Sequence, residues 1–112
     1  MHVLDYAQDV QSVLENKTSF SGMTEDLLMR INDHQSLNVF LSINPNVRSE
    51  AKHIEELDSA EASLKGMTIA VKDNISVIGM PMTCGSKMLE HFHPMYDATI
   101  IQRLKQQGAI IL

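Results

Sequence analysis

Gly66-Met67-Thr68-Ile69-Ala70-Val71-Lys72-Asp73-Asn74 is the stretch that decides the fold. Its centre is apolar and partly β-branched. A glycine closes it on one side, and a charged and amide-bearing turn closes it on the other, which is the pattern of a short buried strand. A connection of about 24 residues follows, carrying Gly79, Pro81, Gly85 and Pro94; loops of that length are often functional. Asp97 then stands where an N-cap would start a helix running to Gln107, with Ile100, Ile101 and Leu104 inward and Gly108 as its stop. Ala109-Ile110-Ile111-Leu112 reads as a second apolar strand. Strand, crossover helix, strand is a βαβ unit, so the two strands are expected to be parallel and covered on both faces. A sheet of this kind needs further strands, and the sequence stops inside one; the expectation is an incomplete α/β core. The alternative is that Ile110 to Leu112 finish the preceding helix or fray.

Upstream of Gly66 the pattern is helical. Val3, Tyr6, Val10, Val13 and Leu14 recur every three or four residues, Asn16 to Gly22 is rich in turn formers, and Thr24 is a candidate N-cap for a helix burying Leu27, Leu28 and Ile31. Asn32-Asp33 closes that helix, and Leu37 to Ile43 is a short apolar run. The Asn44-Pro45-Asn46 turn leads into a third helix from about Val47 to Leu64. The organisation expected is therefore a helical segment over residues 1–65 followed by the start of an α/β core over residues 66–112.

Composition narrows the class. Of the 112 residues, 44% are apolar and 21% charged, as in ordinary soluble globular domains, and no apolar run approaches the ~20 residues that span a bilayer. The net charge is −5 with no Lys/Arg cluster, which argues against direct contact with a nucleic acid by this segment. Cys84 is the only cysteine, so there is no internal disulfide and no thiolate metal site. The start of the chain is neither a signal nor a transit peptide, and a cytoplasmic protein is expected.

Three blocks, in this order and spacing, resemble the opening of the amidase-signature family. They are Gly66 to Ile75, Gly79-Met80-Pro81-Met82-Thr83-Cys84-Gly85-Ser86-Lys87-Met88-Leu89, and Tyr96-Asp97-Ala98-Thr99 with Gly108-Ala109-Ile110-Ile111-Leu112. Within the family the Thr83 to Lys87 stretch is most similar to the A subunits of glutamyl-tRNA(Gln) amidotransferases. Thr68 stands where that family usually has proline, and Met82 where it often has threonine. The resemblance implies the first βαβ elements of a mixed sheet and amide cleavage by a Ser–Ser–Lys triad, in which Lys72 matches the lysine. The two serines belong to a part of the family's sequence beyond Leu112. It further implies glutamine or another small amide as substrate and B and C subunits as partners. ATP and Mg would be used by a partner subunit, with no cofactor or metal held by this chain.

The residues agree with that placement of Lys72. Open α/β sheets build their sites at the carboxyl ends of strands, and a lysine acts as a base near neutral pH only where burial disfavours its charged form; Met67 to Val71 would supply the burial. Read without the resemblance, Lys72 is an ordinary exposed lysine after a strand. Ser86 is expected to cap or turn the loop and Cys84 to line the site or pack. His91-x-His93 is expected to be a solvated pair, since no cysteine or carboxylate stands near at ligand spacing. Asp73 and Asn74 are expected to fix the strand end by hydrogen bonding, and Glu55, Glu56 and Asp58 to form a wet helix face. Two further readings stand beside the amidotransferase: a stand-alone amidase for small amides, and a non-catalytic remnant acting as a binding module.

Overall fold

Two glycines, Gly66 at φ +77° and Gly108 at φ +82°, turn the chain into its two strands. In the computed structural model, which describes residues 6–57 and 62–112, these are β1 (Thr68–Ile69) and β2 (Ile110–Ile111). They pair in parallel, Thr68 opposite Ile110 and Ile69 opposite Ile111. Ile110 N–H donates to Met67 O at 2.8 Å and Leu112 N–H to Ile69 O at 3.0 Å, so the pairing runs beyond the formal strand ends. Among the described residues, four α-helices accompany them: α1 (Tyr6–Leu14), α2 (Phe20–Asp33), α3 (Val47–Glu56) and α4 (Thr99–Gln106), the last crossing from β1 to β2. This is the expected α/β arrangement of N-terminal helices followed by a βαβ unit.

Alternation along β2 divides the core. Ile110 and Leu112 pack on one face with Phe20, Val47, Ala51 and Ile54, drawn from α2 and α3. Ile111 packs on the other with Val77 and Ile101, and the half-buried Ile69, Val71, Ala98 and Leu104 join it. A parallel strand is covered on both faces, and side chains two apart share one. Full burial of an isoleucine contributes about 1.5–3 kcal/mol; Ile101, Ile110 and Ile111, each at most 1% exposed, anchor the fold.

Asn44 closes the outer edge of β2. Its N–H donates to Leu112 O, and its Nδ2 donates to Ile111 O at 2.9 Å and to Glu50 Oε1 at 3.0 Å. Its Oδ1 accepts from Asn46 N–H at 2.9 Å, which shapes the turn into α3. The Asn44 turn thus both launches α3 and fastens it to the sheet. Val47, Ala51 and Ile54, at spacings of four and three, then form the buried stripe of α3.

Several boundaries depart from expectation. Helix α2 starts at Phe20, within the stretch rich in turn formers. Its cap is Ser19, which is extended and accepts from Gly22 N–H at 3.0 Å. Thr24 instead lies inside the helix, 1% exposed, and its hydroxyl donates to Phe20 O at 2.8 Å. Helix α3 ends at Glu56, well before Leu64. The amides of Leu64 and Gly66 donate to Gln107 O and Gly108 O, each at 2.9 Å, and so cannot join a helical ladder. Asp97 is not the cap of α4, which is Ala98. Its Oδ1 accepts from Ile78 N–H at 2.7 Å and its Oδ2 pairs with Lys105 Nζ at 2.9 Å, tying the long connection to the helix. The inward stripe of α4 is Ala98, Ile101 and Leu104, leaving Ile100 exposed. Val3 and Asp58 lie outside the described residues.

Candidate active site

The carboxyl end of β1 opens onto a cleft of about 610 Å³. Lys72, Asp73 and Asn74 border it from the strand end, Cys84 and Gly85 from the long connection, and Val39 to Ser42 from the segment before α3. The sequence shows that last segment only as an apolar run. Its outward residues Leu37, Val39 and Leu41 are exposed, while Phe40 and Ile43 pack on the core. One side of it thus anchors the segment while the rest walls the cleft.

Lys72 stands on the rim and is exposed along this chain. The run from Met67 to Val71 does not bury it. Ile69 and Val71 pack down onto Val77, Ile101 and Ile111, and the chain turns directly afterwards, with Ile75 N–H donating to Lys72 O at 3.0 Å. An apolar run can bury the strand that carries a lysine without covering the residue at its end.

Asp73 does the bonding expected of it, and across a distance in sequence that no local pattern signals. Its Oδ1 accepts from Thr83 N–H at 2.7 Å, its Oδ2 accepts from the Thr83 hydroxyl, and its backbone carbonyl accepts from Cys84 N–H at 3.0 Å. The Thr83 hydroxyl in turn accepts from Gly85 N–H at 3.2 Å. The bonds from Thr83, its hydroxyl foremost, hold the Asp73 carboxyl below the usual carboxylate range. They also support two consecutive left-handed residues, Cys84 at φ +51° and Gly85 at φ +68°. Asn74 is exposed on the cleft rim.

The other singled-out residues fall away from this centre. Ser86 N–H donates to Thr83 O at 2.9 Å, and its Oγ accepts from Met88 N–H at 3.3 Å, capping the short 3₁₀ turn Lys87–Leu89. It caps and turns the loop, as expected. His91 and His93 are exposed, with His93 Nδ1 lying 3.1 Å from His91 O. Among the described residues no group of three His, Cys, Asp or Glu is placed to hold a metal ion, and no helix is long and apolar enough to cross a membrane. Glu55 is exposed yet not idle: its Oε1 accepts from Ser21 N–H at 2.8 Å, linking α3 to the first turn of α2, and that bond lowers its pKa. Glu56 is exposed, as a wet helix face requires.

A parallel βαβ unit with a lysine just past the carboxyl end of its first strand, on a cleft bordered by Cys84 and Gly85, is an α/β arrangement that agrees with the amidase-signature pattern of the sequence. The family model described as Amidase matches residues 22–112, and the chain belongs to that family.

Among its curated relatives is the A subunit of the glutamyl-tRNA(Gln) amidotransferase of Exiguobacterium sibiricum. It is 47% identical over 77 residues, covering 68% of this chain and 16% of that protein. The corresponding A subunit of Bacillus cytotoxicus is 37% identical over 118 residues, covering all of this chain and 24% of that protein. In structure, an amidase family protein from Bacillus anthracis str. Ames superposes with a TM-score of 0.89 at 31% identity, over 96% of this chain and 23% of that one. The chain thus spans a quarter or less of the length of these relatives.

Proposed function

We propose that this chain contributes the lysine base of an amidase-signature enzyme, the A subunit of a glutamyl-tRNA(Gln) amidotransferase, which releases ammonia from glutamine. The observation that carries the proposal is Lys72 itself. It stands at the carboxyl end of β1 on the rim of the cleft, in a chain whose identity to named A subunits is high. In this reading a nucleophilic serine attacks the amide carbon, a bridging serine relays its proton, and Lys72 accepts it. Both serines lie in the part of the enzyme not included in these 112 residues. Lys72 is exposed along this chain, so the segments completing the enzyme would supply the desolvation that a lysine base requires. The B and C subunits are its partners, ATP and Mg act at one of those partners, and the setting is cytoplasmic. The 112-residue chain alone, with one triad member of three, has no glutaminase activity, because members that act as a unit fail together.

The test is glutamine turnover by the longer enzyme carrying Lys72→Ala or Lys72→Arg. Loss of a positioned base costs ~10²–10⁴ in rate. Arginine fails almost as badly, since a guanidinium keeps its proton. Near-normal turnover in Lys72→Arg would sink the assignment. A second reading, a stand-alone amidase for small amides, is favoured by the likeness to the Bacillus anthracis amidase. Turnover of simple primary amides without any partner would select it.

A further inference from the structure

We infer that Asp73 is a positioning residue, whose carboxylate fastens the Thr83–Gly85 turn on the cleft that Lys72 borders, so that Cys84 and Gly85 form a fixed wall for the bound amide. The inference deepens the function proposed above, on which the identity of the occupant rests.

Three observations carry it. First, the turn has reason to relax if it is not held. Cys84 is a non-glycine residue at φ +51°, a conformation costly for any residue with a Cβ, and it persists only where its surroundings over-determine it. Second, the restraints converge on Asp73. Both of its carboxylate oxygens accept from Thr83, its backbone carbonyl accepts from Cys84, and Gly85 N–H reaches it through the Thr83 hydroxyl. Third, the brace is covalently next to the lysine. Asp73 directly follows Lys72, whose own carbonyl accepts from Ile75 N–H at 3.0 Å, so the turn and the lysine-bearing backbone are held in one frame. Lys72, Cys84 and Gly85 all line the same cleft. Amide chemistry of this kind depends on holding the scissile group within a few tenths of an ångström of the base and nucleophile. A wall built on a left-handed turn cannot hold it unless the turn itself is held. The depressed pKa of Asp73 agrees, since a carboxylate accepting several hydrogen bonds favours its charged form.

The experiment has two arms. In the 112-residue chain, amide hydrogen exchange is followed at Thr83, Cys84, Gly85 and Ser86, with Ile110 and Leu112 of the sheet as internal controls. Asp73→Ala and Thr83→Val should speed exchange in the turn on the order of tenfold while leaving the sheet amides unchanged, a local opening rather than global unfolding. Thr83→Ser keeps the hydroxyl and should restore wild-type protection. Unchanged turn protection in Asp73→Ala, with the sheet intact, overturns the inference whatever the enzyme does.

In the longer enzyme, Asp73→Ala should raise KM for the amide on the order of tenfold with a smaller effect on kcat, while Thr83→Ser, which keeps the hydroxyl, should stay near wild type. A fall in kcat with KM unchanged would place Asp73 on the base instead and overturn the wall. Failure of the function reading looks different: Lys72→Arg would stay active while the exchange results stood.

Discussion

Gly66→Ala should be among the most damaging single-methyl additions in this chain, and the structure allows its cost to be worked out. Gly66 is at φ +77°, and a Cβ placed there would fall 2.0, 2.2 and 2.8 Å from the Cδ1, Cε1 and Cγ atoms of Phe20. Phe20 cannot easily yield. It is 6% exposed and packs in the cluster of Val47, Ile54, Ile110 and Leu112. The backbone cannot easily yield either, because Gly66 N–H donates to Gly108 O at 2.9 Å and steers the entry to β1.

Left-handed backbone with a Cβ costs about 1–2 kcal/mol, and overpacking a filled core costs about 1–3 kcal/mol. The sum is about 2–5 kcal/mol, a large part of the ~5–15 kcal/mol stability of an ordinary domain. Gly85 supplies the control: it is also left-handed, at φ +68°, but a Cβ there meets nothing within 4 Å, so Gly85→Ala should show only the backbone part. Urea unfolding followed by circular dichroism gives both values from the midpoints, provided the slope m is unchanged. Combining Gly66→Ala with Phe20→Leu should recover part of the loss, a positive coupling between contacting sites. Equal costs for Gly66→Ala and Gly85→Ala would refute the steric argument.

Two other perturbations follow from the hydrogen bonds. The carboxyls of Asp73 and Glu55 are both held below their ordinary range, by Thr83 and Ser21 respectively. Each therefore contributes stability that is present above its unfolded pKa, near 4, and is lost as pH falls through its lower folded value; urea midpoints should drop on the acid side, and Asp73→Asn and Glu55→Gln should each flatten that drop. Asn44→Ala leaves the buried carbonyl of Ile111 without its side-chain donor and should lower stability by about 1–3 kcal/mol, an outcome that an unchanged urea midpoint would contradict.

The βαβ unit could be read because its punctuation is chemical. Gly66 and Gly108 adopt conformations that residues with a Cβ resist, and the β-branched runs beside them have few alternatives to a strand. The helix starts were harder. Ser19-Phe20-Ser21-Gly22 looks like a turn because serine and glycine are weak helix formers, yet Phe20 seats in the core and Ser19 caps from outside, so burial overrode local preference. Asp97 failed as a cap for a related reason. Its carboxylate was claimed by Ile78 N–H and Lys105, partners that only the folded connection brings near. The site followed the same division. A lysine after a strand is visible in one dimension, whereas the Asp73–Thr83 brace and the Val39 to Ser42 wall join residues far apart in sequence with no periodic signal to link them.

The contrast between the two strands bears on how Lys72 could work. β2 is enclosed on both faces within this chain, and its outer edge is held by Asn44. β1 is only half-buried, and Ala70 and Lys72 beyond it are exposed. The backbone that would present the base is thus fixed from behind by Val71, Ile69 and the Asp73 brace, while its chemical end faces an open cleft. For a lysine this arrangement is favourable. An ammonium buried early, without partners, would oppose folding, whereas one held at the rim can be desolvated when the cleft is covered. In the proposed enzyme, then, the basicity of Lys72 would depend on the cover and its geometry on this chain. Substitutions in the brace should change how substrate sits, and substitutions in the covering segments should change the pH at which turnover begins.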